Sequence, residues 1–295
     1  MRRKKMGQGQ LITIERDLQQ IADMLLLNGT LTECPGLVHG KIGIAVFFFH
    51  YAKYTGNELF ADYAMDVICE MMNQMHINSP ADYEKGLAGI GVGIDYLIQN
   101  EFLKVEDDIC EDFDQRMVRA VMYDPWQDFS LYNGLTGYGR YWMTRLRYQT
   151  PSMLAQECLL RIVTLIEEKL PNISIEEQTD VHCLLHDLQG ISGFERCKQL
   201  LEHTRKVWGL QSMKGSQLFW RMRESFIGNI IQIYQCSQYF DDSLKSNVDI
   251  ALQKIPDLDM EKPPSGTGLL NGYAGEGMMR LTALNQADML WMNLL

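Results

Sequence analysis

The chain has 295 residues, with 27 lysines and arginines against 38 aspartates and glutamates, so its formal charge is −11 and nucleic acid and anionic membrane surfaces would repel it. Its strongest apolar run, Ile44 to Phe49, is six residues, far short of a bilayer crossing. Seven cysteines, odd in number and without a Cys-X-X-Cys pair, exclude a disulfide framework, and eighteen methionines suit an adaptable helical interior.

Residues 1–13 read as a disordered polar tail, and its basic cluster, Arg2 to Lys5, is not followed by the apolar stretch of a signal peptide, which places the chain in the cytoplasm. Ile14 to Leu27 then reads as an outer helix stopped by Asn28-Gly29. From there one phrase recurs. Gly-X-X-Gly stands at Gly40 to Gly43, Gly86 to Gly89, Gly134 to Gly137, Gly190 to Gly193 and Gly272 to Gly275, with a damaged copy at Ser225 to Gly228. The first positions are separated by 46, 48, 56, 35 and 47 residues, the period of a supersecondary array with one short interval.

Each copy leads into apolar-periodic helix: Ile44 to Tyr54, Ile90 to Ile98, Tyr138 to Arg147, Ile230 to Tyr239 and Glu276 to Ala287. A second helix follows at Glu58 to Met75, Glu106 to Met122, Ser152 to Leu170 and Asp242 to Ile255. The first glycine of the phrase is expected to supply a turn conformation, and the second to clear space where helices crowd at Gly137 and Gly275, with Gly29 under less pressure. A loop, Pro256 to Thr267, leads to the last copy, and the apolar segment Leu290 to Leu295 is expected to dock on the array.

Several familiar chemistries fail on spacing. The four glycines from Gly86 to Gly93 are not Gly-X-Gly-X-X-Gly and follow no strand, which removes a nucleotide loop. Ser192 lacks the glycine spacing of a nucleophile elbow. His182 and His186 are four apart with Cys183 between, the best local metal candidate. Glu84, Asp128, Glu224 and Glu276 stand beside the glycine phrases, either as helix N-terminal acids or as a carboxylate pair of the kind that works on sugars.

The segments His39 to Ala45, Gly86 to Gly91, Asn133 to Gly137 and Leu269 to Gly275 resemble the lanthionine synthetase C-like cyclases over about residues 36 to 290. The resemblance implies an all-α fold, an α/α toroid of about six helical hairpins spanning residues 14–295 as one domain, where family members carry seven. It also implies a central cavity to which His39, Glu84, Asp128, Tyr132, Asn133, Arg223, Glu224, Asn271 and Glu276 would contribute. Family cyclases hold zinc through Trp-Cys-X-Gly and Cys-His-Gly and use it to activate a peptide thiol. Here Arg223, Glu224 and Ser225 stand at the Cys-His-Gly positions, and Ser130 and Gln189 at the acid-base positions, so zinc is expected to be absent. The resulting expectation is a pseudoenzyme in lantibiotic or other ribosomal-peptide modification, with a peptide or a peptide-modifying enzyme as partner. A cyclase with zinc relocated to His182, Cys183 and His186, or a carbohydrate-active toroid, is the alternative.

Overall fold

The structure, a computed structural model, describes residues 7–76, 78–104, 108–125, 128–147, 152–207, 226–257, 264 and 266–295. Among them the protein is all helical, with a single isolated bridge between Gly266 and Gly272 in place of any strand. Contacts gather into two compact units, one from 1–75 with 215–295 and one from 76–214.

The first unit holds α1 (Gln8–Asn28), α2 (Lys41–Thr55), α3 (Leu59–Gln74), α10 (Phe226–Tyr239), α11 (Lys245–Leu252) and α12 (Tyr273–Ala283). The second holds α4 (Leu87–Gln99), α5 (Glu111–Val118), α6 (Leu135–Arg147), α7 (Met153–Lys169), α8 (Ile175–Leu188) and α9 (Arg196–Val207). α1 begins at Gln8, so residues 8–13, expected as tail, are helical. α5 stops early because the chain opens into a wider π turn over Arg119–Tyr123.

Buried and amphipathic helices alternate. α2 buries twelve of its fifteen residues whereas its partner α3 buries four of sixteen, so α2 is core and α3 is a cover laid on it. The same division separates α6 from α7 and α12 from α1. Trp291 and Leu295 are buried, as expected of a docked terminal segment, and the Trp291 indole donates to Thr282 at 2.9 Å.

The glycine phrase has a more specific cause than helix crowding. In four repeats the segment before the core helix curls over its first turn, and the first helical N–H donates to the carbonyl seven residues back: Lys41 to Cys34, Leu87 to Pro80, Leu135 to Asp128 and Tyr273 to Gly266, at 2.9–3.0 Å. Amides that a helix start leaves without partners are thereby satisfied. A side chain at Gly40, Gly86, Gly134 or Gly272 would run into that same loop backbone, as would one at Gly43, Gly137 or Gly275. The N-cap glycines at 40, 86 and 272 have φ between −129° and −106°, so clearance and not a special turn conformation requires glycine there. Gly29 is no relaxed comparison: a side chain there would meet the Tyr63 hydroxyl at 2.5 Å and the Leu25 carbonyl at 2.6 Å.

A third glycine, five residues into the core helix, does serve helix approach. Gly91 of α4 faces the Tyr141 ring of α6, Gly139 of α6 faces Leu184 of α8, and Gly277 of α12 faces the Phe47 ring of α2.

The fourth repeat corrects the sequence reading. Its core helix is α8, the neighbour of α6, and α8 starts after Ser174, not after Gly190. In place of Gly-X-X-Gly it carries Ser174-Ile175-Glu176-Glu177, a capping box in which Ser174 Oγ accepts the Glu177 N–H at 3.3 Å and Glu177 accepts the Ser174 N–H at 2.9 Å. Gly190 and Gly193 belong to the turn into α9: Gly190 touches nothing, while Gly193 has φ +91° and needs glycine for that reason. The core helices whose starts are described thus begin at 41, 87, 135, 175 and 273, the first four separated by 46, 48 and 40 residues.

Candidate functional site

The residues singled out beside the glycine phrases occupy the loops that cap the core helices. In the first unit His39 directly precedes Gly40 and Asn271 directly precedes Gly272, and the two loops touch: the Leu270 N–H donates to the Val38 carbonyl at 3.0 Å, and a side chain at Gly268 would strike the His39 backbone. Asn271 sits at φ +57°, a left-handed conformation that asparagine tolerates better than most residues. Glu276 lies in the first turn of α12, where it accepts a hydrogen bond from Arg280 Nη1 at 2.5 Å.

In the second unit the Tyr83 and Glu84 amides both donate to the Tyr132 carbonyl, at 2.9 and 3.1 Å, which joins those two loops. Asp128 accepts the Ser130 N–H on its side chain at 2.6 Å and the Leu135 N–H on its carbonyl at 2.9 Å. Asn133 is exposed, and its N–H reaches Ser130 Oγ at 3.4 Å. α8 holds this loop from the side: Glu177 accepts from the Phe129 amide and Asp180 from the Leu131 amide, both at 2.8 Å. Burial works against the Glu177 carboxylate, but the hydrogen bonds from Phe129 and Ser174 outweigh it and hold its pKa below the usual glutamate range.

Thus each unit brings part of the expected set together: His39, Asn271 and Glu276 in one, Glu84, Asp128, Tyr132, Asn133 and Ser130 in the other. Arg223 and Glu224 lie outside the described residues. Gln189 does not belong to the set. It caps the C-terminal end of α8, about 20 Å along the helix from the capping loop, and the position before that helix's N-cap is filled by buried Ile173.

His182 and Cys183 are buried in α8 and His186 is about a third exposed beside Asp187, and among the described residues no three His, Cys, Asp or Glu side chains converge as metal ligands. Consecutive helical residues point about 100° apart, which is why His182 and Cys183 diverge. The carboxylates have structural employment, Asp128 in its turn and Glu276 on Arg280.

Sequence reasoning missed two charge clusters. Arg280 is 1% exposed and contacts Asp17 of α1 at 3.4 Å as well as Glu276. Arg145 binds both Asp108 and Asp114, and Asp114 also accepts the Tyr141 hydroxyl at 2.6 Å. A polar residue on the inward face of an amphipathic helix, Asp17 between Ile14 and Leu18, is the signal that was available. The first unit further holds a cleft of about 420 Å³ lined by Tyr234, Lys245, Asp249 and Asp288, apart from the capping loops. Among the described residues no helix is long and apolar enough to cross a membrane. No protein-family model matches the chain, and no curated protein matches it.

Proposed function

We propose that the chain is a six-hairpin α/α toroid of the lanthionine synthetase C-like kind, working in the cytoplasm, that binds a peptide or a peptide-modifying enzyme and does not hold the cyclase's zinc. One observation carries the toroid. The step from the last repeat to the first has the same construction as the step from the second to the third: Leu269 lies on Gly43 as Tyr83 lies on Gly137, and Gly277 meets Phe47 as Gly91 meets Tyr141. An array whose last unit meets its first through the ordinary repeat contact is what ring closure requires.

The capping loops of each unit then offer a binding rim, with His39 and Asn271 as side chains in the first unit and Glu84, Tyr132 and Asn133 in the second. The donor chemistry of Arg223, Glu224 and Ser225 supports a binding role over thioether formation. The net charge of −11 favours a neutral or basic partner.

The test is a pull-down from the native host with the purified chain as bait, together with its metal content. A precursor peptide or dehydratase should be enriched, and zinc should be well below one per chain. Repeated failure to enrich either partner removes the binding role. One zinc per chain, lost on Cys183→Ala, reinstates the cyclase.

A further inference from the structure

We infer that α1 is the clasp of α12: it lies along that core helix as a cover, and through Arg280 it sets the carboxylate of Glu276 in the helix's first turn. The inference stands on contacts inside the first compact unit and does not depend on any partner.

Elsewhere a core helix is covered by the helix that follows it, α2 by α3, α6 by α7, α8 by α9 and α10 by α11. In the residues that follow α12, the short 3₁₀ turn Leu290–Leu294 rests on α10. α12 is packed between α2, its core neighbour, and α1. The covering face of α1 is Ile14, Leu18, Ile21, Ala22 and Leu25, each no more than 1% exposed and at helical spacing, whereas Ile12 and Leu27 on the other side are 60% and 71% exposed.

Within that apolar seam lies one charged chain of contacts. Asp17, 3% exposed, places Oδ2 3.4 Å from both Nε and Nη2 of Arg280, and Arg280 Nη1 donates to Glu276 Oε2. A guanidinium so buried is tolerable only with its carboxylates in place, so α1 cannot leave without stranding Arg280 on Glu276 alone. Glu276 belongs to the first turn of α12, immediately after the loop that carries Asn271, so the clasp and the rim share one side chain.

Hydrogen exchange of the intact chain, resolved by segment, decides the matter. Amides of α1 and α12 should open together, with protection agreeing to within about threefold. Asp17→Leu should lower protection in both by at least about tenfold and leave α6 unchanged. Leu27→Ser, on the exposed face, should alter neither helix. Free exchange of α1 over a protected α12, or an Asp17→Leu effect confined to α1, overturns the inference. Should Asp17→Leu fail to fold, the wild-type comparison still decides it.

Discussion

Replacing Gly275 by alanine measures what the glycine phrase is for. The added methyl would lie well inside contact distance of the Leu269 carbonyl oxygen, so the capping loop has to retreat by roughly 1 Å to restore ordinary packing. That loop is held to the helix start by Tyr273 N–H to Gly266, Ala274 N–H to Thr267 and Gly275 N–H to Gly268, at 3.0, 3.1 and 3.2 Å. If the retreat breaks all three, the loss is about 3 kcal/mol at about 1 kcal/mol per bond, against a gain of about 1 kcal/mol from alanine's better helix propensity. Gly275→Ala should therefore destabilise by about 2 kcal/mol.

Gly190→Ala is the matched control, since no heavy atom lies within 4 Å of the new methyl, and it should stay within about 0.5 kcal/mol of wild type. Urea unfolding followed by far-ultraviolet circular dichroism reads both. The two variants differ by the whole effect if the loop-clearance account is right. Agreement between them would refute it, and would restore Gly190 as an equal member of the repeat.

Three further outcomes are expected. Ser174→Ala should cost about 1 kcal/mol, seen as a lower urea midpoint at unchanged slope, because the hydroxyl is the side-chain cap of α8. Arg145→Met should destabilise by about 3 kcal/mol or more by leaving Asp108 and Asp114 unpaired, and adding Asp114→Leu should recover part of it in a double-mutant cycle. Burial, with Lys53 nearby, lowers the His50 pKa from 6.5 to about 4. Between these values the unfolded chain binds the extra proton, so stability is full above pH 6.5 and falls by about 3 kcal/mol as pH drops to about 4. His50→Gln should flatten that part of the pH–stability curve, and a curve that keeps its slope would show another group at work.

Much of the fold was legible because the glycine phrase and the alternation of apolar with amphipathic segments are local signals. Lys41–Thr55 is hydrophobic on every side and reads as a core helix, and Leu59–Gln74 keeps one apolar stripe and reads as its cover. The fourth repeat was misread because one physical task, freeing and satisfying a helix start, has two chemical solutions. Four repeats use loop carbonyls and glycine, and the fourth uses a serine and a glutamate, so a search for glycine passed over Ser174 and settled on an unrelated turn. The capping-box spacing from Ser174 to Glu177 was present in the sequence. What no local pattern could give is pairing at long range: Asp17 meets Arg280 across 263 residues, and only the fold brings them together.

The same division bears on where the chemistry of the proposed rim would reside. At a bare helix start, free amides and the positive end of the helix dipole make a ready anion site. Here the loop carbonyls of Cys34, Pro80, Asp128 and Gly266 already accept the first amide of four core helices, so each of those helix ends offers an anion one donor fewer. More of the recognition at the proposed rim then falls to side chains. The positions immediately before the first glycines of those four repeats are His39, Lys85, Asn133 and Asn271, an imidazole, an ammonium and two amides on one repeated backbone frame. The glycines answer to the fit of loop on helix and cannot vary without the cost worked out for Gly275. The residue ahead of each is not fixed by that clearance, and only Asn271 answers to a left-handed backbone of its own. Differences in what the proposed rim binds would accordingly be written one residue ahead of the motif, while the motif itself reports the fit of loop on helix.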